Sequence, residues 1–309
     1  MVMKSRLSSI LVALVSISSS PCVAQNLSPA QQRAGYAMPW TMRPAVAPTL
    51  VRVESSIAAR RDGVAAATIA TGGVAIIPTR LGVYARLAVT HSILRTGDAR
   101  TDSIPTGAFA NPALFVLFTP EVARGVRIGA SALVALPLGN GSGNTPSPLS
   151  ASSLSAAVAT RSAMDGALFA TNYLAAAAGG SVALIRSGVT AQLEATLVTF
   201  ARVRGELARS ASDPTRVALT AAASVGYLVH PALSLSFEAH YQRWLYAPAL
   251  MAAPNAFADQ LSFELGARAN IPLSRTTLLR PGFSFGLGVD GAMSSSETRV
   301  FHFDLPVLF

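Results

Sequence analysis

From Leu261 to Ile271 the chain reads LSFELGARANI, and the phase of its side chains is what most limits its fold. Leu261, Phe263, Leu265, Ala267, Ala269 and Ile271 fall on one face of an extended segment, and Ser262, Glu264, Gly266, Arg268 and Asn270 on the other. The period recurs along the chain. Leu279–Asp290 sets Phe283, Phe285, Leu287 and Val289 against Arg280, Gly282, Ser284, Gly286, Gly288 and Asp290. Leu233–Leu245 sets Leu235, Phe237 and Tyr241 against Ser234, Ser236, Glu238, His240 and Gln242. Val189–Val203 carries Gln192, Glu194, Thr196, Arg202 and Arg204 on its polar side. Val83–Ile93, Val126–Leu138 and Val217–Val229 alternate in the same way, with Tyr84, Arg86, Arg127, Ser131, Thr220 and Ser224 turned to the polar side.

Alternation alone also fits a soluble sandwich, so the contents of the faces must decide. Apolar residues make up 51% of the 309, charged residues 13%, and mean hydropathy is +0.44. Such a composition calls for apolar helical spans of about 18 residues or more. One segment, Ala167–Ile185, has that length, but Asn172 and the pair Gly179–Gly180 interrupt it. A soluble sandwich would coat its outside densely with charge; here the polar faces are thin in charge and rich in Gly, Ser and Thr, and the apolar faces carry almost none. A hydrophobic chain without helical spans can cross lipid only as a closed sheet. The reading is all-β: a transmembrane antiparallel up-and-down β-barrel. The links support it, because tight ones at Pro78–Gly82, Thr119–Gly125, Arg186–Gly188, Val229–Leu233 and Pro272–Thr277 alternate with mostly longer ones. They imply twelve strands from about Leu50 to Phe309, the faces being blurred by Ala-rich or continuous apolar runs near Val64–Ile77, Pro112–Thr119 and Tyr173–Ile185.

The amino end has the layout of a cleavable secretory signal: Lys4 and Arg6, a short apolar stretch, then small residues ending at Ala24. Cleavage there removes Cys22, the single cysteine, so no thiol metal or redox site is expected in the exported chain. It also removes the only lysine, Lys4, and leaves a basic surplus carried by arginine alone. Export and the even spread of those arginines argue against a nucleic-acid partner. The expected organisation is a signal over residues 1–24, a periplasmic N-terminal segment over 25–48, and a barrel over 49–309. The N-terminal segment is read as a flexible leader with Trp40 at the barrel base, the alternative being a plug folded into the lumen. Gly139–Ser155 has the composition of a mobile surface lid.

The chemistry-bearing residues are read as wall. Arg52, Glu54, Arg86, Arg127, Glu194, Arg202, Arg204, Glu238, His240, Glu264, Arg268, Arg280, Asp290, His302 and Asp304 are expected to line the lumen, as ion pairs or a wetted surface. Glu238, His240, His302 and Asp304 could suggest a metal, but alternation alone does not bring three or four ligands together, so no metal and no cofactor is expected. A lipid-active hydrolase is the enzymatic alternative. His91 is the one histidine on a lipid-facing phase near an outer strand end, and no serine with an orienting partner is recognisable beside it. A structural or surface-binding barrel is the third reading.

The signal, the alternating segments and the final stretch VFHFDLPVLF together resemble Gram-negative outer-membrane barrels. The plan is similar to the small hydrophobic-solute transporters grouped with long-chain fatty acid channels and phenol-degradation-pathway proteins. The resemblance implies that Phe301, Phe303, Leu305, Val307 and Phe309 form the signal read by the barrel assembly machinery. It implies a monomer amid outer-membrane lipid and lipopolysaccharide, acting as a porin-like channel or facilitator for small solutes, hydrophobic or anionic, with no covalent chemistry and an unknown solute.

Overall fold

The structure, a computed structural model, describes residues 36–94, 105–140, 148–170, 172–205, 214–252 and 257–309. The leader (1–24), the first part of the N-terminal segment (25–35) and residues 141–147 of the Gly139–Ser155 loop lie outside the described residues. The strands are β1 Leu50–Arg60, β2 Gly63–Ile77, β3 Leu81–Leu94, β4 Pro105–Phe109, β5 Ala113–Phe118, β6 Glu121–Ala123, β7 Val126–Ala135 and β8 Tyr173–Arg186. They continue as β9 Val189–Arg202, β10 Thr215–His230, β11 Leu233–Tyr246, β12 Asp259–Ala269, β13 Ile271–Pro272, β14 Leu278–Leu279, β15 Gly282–Asp290 and β16 Arg299–Leu308.

Twelve of these form the wall, in the order β1-β2-β3-β5-β7-β8-β9-β10-β11-β12-β15-β16, every neighbour antiparallel. The sheet closes where β16 returns to β1, from Leu50 opposite Leu308 to Ala59 opposite Arg299. β4 pairs with β3 and β6 with β7, while the β13–β14 hairpin continues β12 and β15 beyond the wall. The short turns share one rim with the two ends of the wall. At one of them Ser187 (φ 51°) and Gly188 (φ 80°) both take positive φ, as a two-residue hairpin with right-handed strand twist requires. No helix among the described residues is long and apolar enough to cross a membrane; Ala167–Ile185 divides into the end of a one-turn helix, Gly166–Phe169, and most of β8.

Burial follows the alternation. In β16, His302, Asp304 and Pro306 are buried, while Phe303, Leu305 and Phe309 are exposed and Phe301 and Val307 half-exposed. Val51, Val53, Leu87, Val116, Leu193, Leu197, Phe237, Leu265 and Phe283 are likewise exposed around the wall. A continuous apolar outer surface of this extent is a lipid-facing one.

The interior is filled by the chain itself, from both rims. Residues 36–48 enter beneath the short-turn rim and are buried to the base of β1, Trp40 being 1% exposed. They are therefore no flexible leader. From the opposite rim a segment between β7 and β8 folds inward as the helix Pro148–Ala157, a 3-10 turn Val158–Arg161 and the helix Gly166–Phe169. The expected surface lid is thus an insert over its described residues, with Ser153, Ala157 and Thr160 fully buried. Its Leu154, Leu168 and Phe169 join Ile69, Phe115, Leu133, Tyr173 and Phe200 in one apolar cluster inside the barrel. Burial of such side chains is worth about 1.5–3 kcal/mol each relative to exposure.

Glycines in the wall make room for the N-terminal insert. A Cβ on Gly266 would stand 2.7 Å from Trp40 Cζ2, one on Gly282 would collide with the same ring, and one on Gly226 would stand 2.5 Å from Ala37 Cβ. Gly282→Ala is therefore expected to leave the barrel intact and to unseat Trp40, at the overpacking cost of about 1–3 kcal/mol. In a Trp244→Phe background Trp40 is the sole tryptophan, and its emission should shift to the red with greater quenching by acrylamide; unchanged emission would contradict the seating described.

Candidate functional site

The wall and the two inserts meet in a polar column on the β9–β1 side of the interior. Its first part holds residues 36–48. Glu238, on β11 and 0% exposed, accepts hydrogen bonds from the backbone N–H of Trp40, from the N–H of Thr41 at 3.2 Å and from the Thr41 hydroxyl at 2.8 Å. The Trp40 indole donates to Ser236 Oγ at 2.9 Å and lies under the Arg268 guanidinium, 4.1 Å from the ring centroid. Arg43 pairs with Glu194 at 2.5 Å, and its carbonyl accepts from Gln192 at 2.7 Å. Arg280 donates to the Tyr36 carbonyl at 2.5 Å and to Asn270 Oδ1 at 2.8 Å. Arg52 donates to the Trp40 carbonyl at 2.7 Å. Alternation explains most of these anchors: Arg52, Gln192, Glu194, Ser236, Glu238 and Arg268 lie on the inward phase of their strands, while Asn270 and Arg280 stand just beyond β12 and just before β15.

The second part holds the opposite insert. Asp165 is clasped by Arg86 at 2.6 Å and by Arg161, four residues before it, at 2.9 Å. Arg161 also reaches Glu54 at 3.2 Å, and Arg86 reaches the other oxygen of the same carboxylate at 3.1 Å. His302 faces Glu264 Oε1 through Nδ1 and the Thr160 carbonyl through Nε2, both at 2.6 Å. The Thr160 carbonyl can only accept, so Nε2 donates to it, and the ring joins wall and insert through its two nitrogens. Burial acts to raise the pKa of Asp165, but Arg86 and Arg161 outweigh it and hold the carboxyl well below the usual carboxylate range.

The two parts are joined by β1. Arg52 stands 2.7 Å from Glu54 and 2.8 Å from Asp304, and Asp304 is also 2.6 Å from Arg268 in a close ion pair with poor hydrogen-bond alignment. An unbroken chain of contacts thus runs from the Trp40 carbonyl through Arg52 and Glu54 to Arg161. Between the inserts remains a cavity of about 50 Å³, lined in part by Thr41, Arg43, Arg52, Arg86, Arg161 and Asp165. It holds about one or two water molecules, and the two inserts face each other across it.

Thirteen of the fifteen residues read as wall turn to the interior: Arg52, Glu54, Arg86, Arg127, Glu194, Arg202, Glu238, His240, Glu264, Arg268, Arg280, His302 and Asp304. Arg127 sits at the short-turn rim on the carbonyls of Thr79 and Thr119, and Arg202 lies 5.8 Å from the Tyr173 ring centroid. Two do not belong. Arg204 lies beyond the end of β9, exposed, and donates to the Pro137 carbonyl. Asp290 ends β15 next to a bulge at Leu261/Ser262, is exposed, and caps the helix Gly291–Ser295 by accepting from the Gly291 N–H at 2.7 Å. Arg43, Arg161 and Asp165 escape sequence reading, because they lie off the strands where no alternation marks a face. His91 is exposed on β3 and makes no hydrogen bond to a serine among the described residues. The outward phase of β16 carries Phe301, Phe303, Leu305 and Val307, with Phe309 just past it, its N–H on the Thr49 carbonyl at 3.0 Å.

No protein-family model and no curated protein matches the sequence. Solved structures do match in fold. The COG4313 outer membrane channel from Pseudomonas putida F1 aligns with a TM-score of 0.56 at 12% identity, over 89% of this chain and all of that one. The NanC porin aligns at 0.49 and 6% identity over 84% and 98% of the two chains, and LpxR from Salmonella typhimurium at 0.43 and 8% over 84% and 100%. At these identities the likeness is one of architecture: the chain is a closed twelve-stranded antiparallel barrel of the outer-membrane type.

Proposed function

We propose that this protein is an outer-membrane channel for small anionic solutes, closed in the present conformation by its two inserts. The observation that carries the proposal is the nature of the contact between residues 36–48 and the wall. It consists largely of hydrogen bonds and ion pairs to side chains that water can solvate equally well, and withdrawal of the segment opens to water the part of the lumen that it fills. Arginine sets the solute class. With residues 36–48 withdrawn, Arg280 keeps only Asn270, Arg268 loses the indole face and Arg52 loses a carbonyl, so guanidinium donors turn to the lumen, while Glu194 loses Arg43. The chain would reach this membrane by export and assemble as a monomer through its last strand.

Two outcomes test the proposal. A variant lacking residues 36–46, refolded and placed in planar bilayers, should conduct several-fold more than the intact protein, with a reversal potential in a KCl gradient that favours chloride. A folded variant that conducts no more than the intact chain would overturn it.

Asp165→Asn should release the opposite insert, since removing one member of a buried ion pair costs about 3–5 kcal/mol. The measurement is proteolysis within residues 148–170 of barrels kept folded in detergent. With its pKa depressed, Asp165 contributes its anchor fully above the ordinary value of about 4, and loses it only as pH falls through the lower folded value. Insert mobility in the unmodified protein should therefore stay constant from neutral pH down to about pH 4.

A further inference from the structure

We propose that Glu238, His240 and Glu264 form a site for one divalent transition-metal ion on the inner wall, beneath residues 36–48. The site does not depend on solute conduction. The register of β11 on β12 places Glu238 opposite Glu264 and His240 opposite Ser262, so four side chains form a square on the inward face. Potential ligand atoms of Glu238, His240 and Glu264 lie within 4.8 Å of one another. All three residues are buried, at 0%, 1% and 1% exposure.

A second, independent observation indicates an occupant. Two corners of the square each keep a buried oxygen with no partner among the described residues, Ser262 Oγ and Glu264 Oε2. Each such atom costs about 1–3 kcal/mol, more where charge is involved. The neighbouring groups also set up the ligands. His240 Nε2 faces Glu238 Oε2 at 2.9 Å and Thr41 Oγ1 at 2.5 Å, so a metal shared by the ring and Glu238 takes the place of the proton on Nε2. Glu264 Oε1 is taken by His302 and Ser284, so Oε2 is the open atom. Glu238 Oε1 accepts the Trp40 N–H alone and retains a lone pair. Two carboxylates directly opposite one another, with an imidazole beside them, favour a cation over a neutral guest. The mixed N and O donors suit zinc, iron, nickel, copper or cobalt better than magnesium or calcium.

The ligand set differs from the one that sequence spacing suggests. Asp304 is consumed by Arg52 and Arg268, and both nitrogens of His302 are engaged, whereas Glu264 enters through strand pairing.

The test uses tag-free protein refolded from urea into detergent with Co2+, then freed of excess metal, with folding confirmed by heat-dependent migration in a gel. The expected result is one Co2+ retained per chain with visible d–d absorption. His240→Gln and Glu264→Gln should each weaken retention at least tenfold, and His230→Ala, at the exposed end of β10, should leave it unchanged. Should a site variant not fold, Cu2+ loaded into the unaltered protein is read by electron paramagnetic resonance, where coupling to one imidazole nitrogen supports the site and its absence overturns it. Folded protein that retains no metal, or retention that survives both substitutions, would show that water alone fills the square.

Discussion

Hydrocarbon offers no partner to a peptide group, and the whole architecture follows from that constraint. A sheet with an open edge would leave a row of unpaired donors and acceptors in lipid, so β16 must return to β1, and it does so along nearly the full length of both. Closure creates an inside. Eight strands enclose a space their own side chains can fill, while twelve enclose more. Small inward residues such as Gly226, Gly266 and Gly282 widen it further, and the chain fills the difference with residues 36–48 and 148–170.

The interior is divided by chemistry, and the division assigns each insert to its own half of the wall. From β2 through β9 the inward faces carry Ile69, Tyr84, Phe115, Leu117, Leu133 and Phe200, which pack the apolar side of the inserted segment between β7 and β8. From β9 through β12, and on to β15, they carry Gln192, Glu194, Ser236, Glu238, Glu264 and Ser284. That half meets the backbone and polar side chains of residues 36–48. β1 and β3 carry the ions that hold the boundary, Arg52, Glu54 and Arg86.

This division also explains which parts of the fold could be read in the sequence. Strands whose inward face meets polar backbone or ions alternate clearly, as LSFELGARANI does, and there Ser262, Glu264 and Arg268 of the polar phase are buried. The segments near Val64–Ile77, Pro112–Thr119 and Tyr173–Ile185 blur, because β2, β5 and β8 have lipid on one side and the apolar insert on the other. A strand apolar on both faces has no phase to read. The blurred runs are themselves the signal that something apolar lies inside the barrel at that sector. Sequence leaves the N-terminal segment open between leader and plug and reads Gly139–Ser155 as a surface lid, because the positions of the inserts depend on single contacts across the lumen, such as Asp165 with Arg86 and Thr41 with Glu238, between residues 79 and 197 positions apart. Arg204 and Asp290 depart from the expectation for a local reason, since strict alternation ends with β9 before Arg204 and at the Leu261/Ser262 bulge before Asp290.

The arrangement of the ion pairs decides whether an insert can leave without stranding a charge. Removing one partner of a buried pair is costly, while losing a neutral hydrogen bond to water is nearly balanced. On the wall, Arg52 would lose only the Trp40 carbonyl and keep Glu54 and Asp304. Glu238 would keep His240, and Arg86 would keep Glu54 when Asp165 departs together with its own Arg161. Glu194 differs, because Arg43 is its one cationic partner among the described residues and belongs to the insert. The charged network is therefore complete within the wall at most points, and the Arg43–Glu194 pair is the contact that most opposes withdrawal of residues 36–48. Both partners lie beside the small central cavity, where water is already within reach of the separating charges.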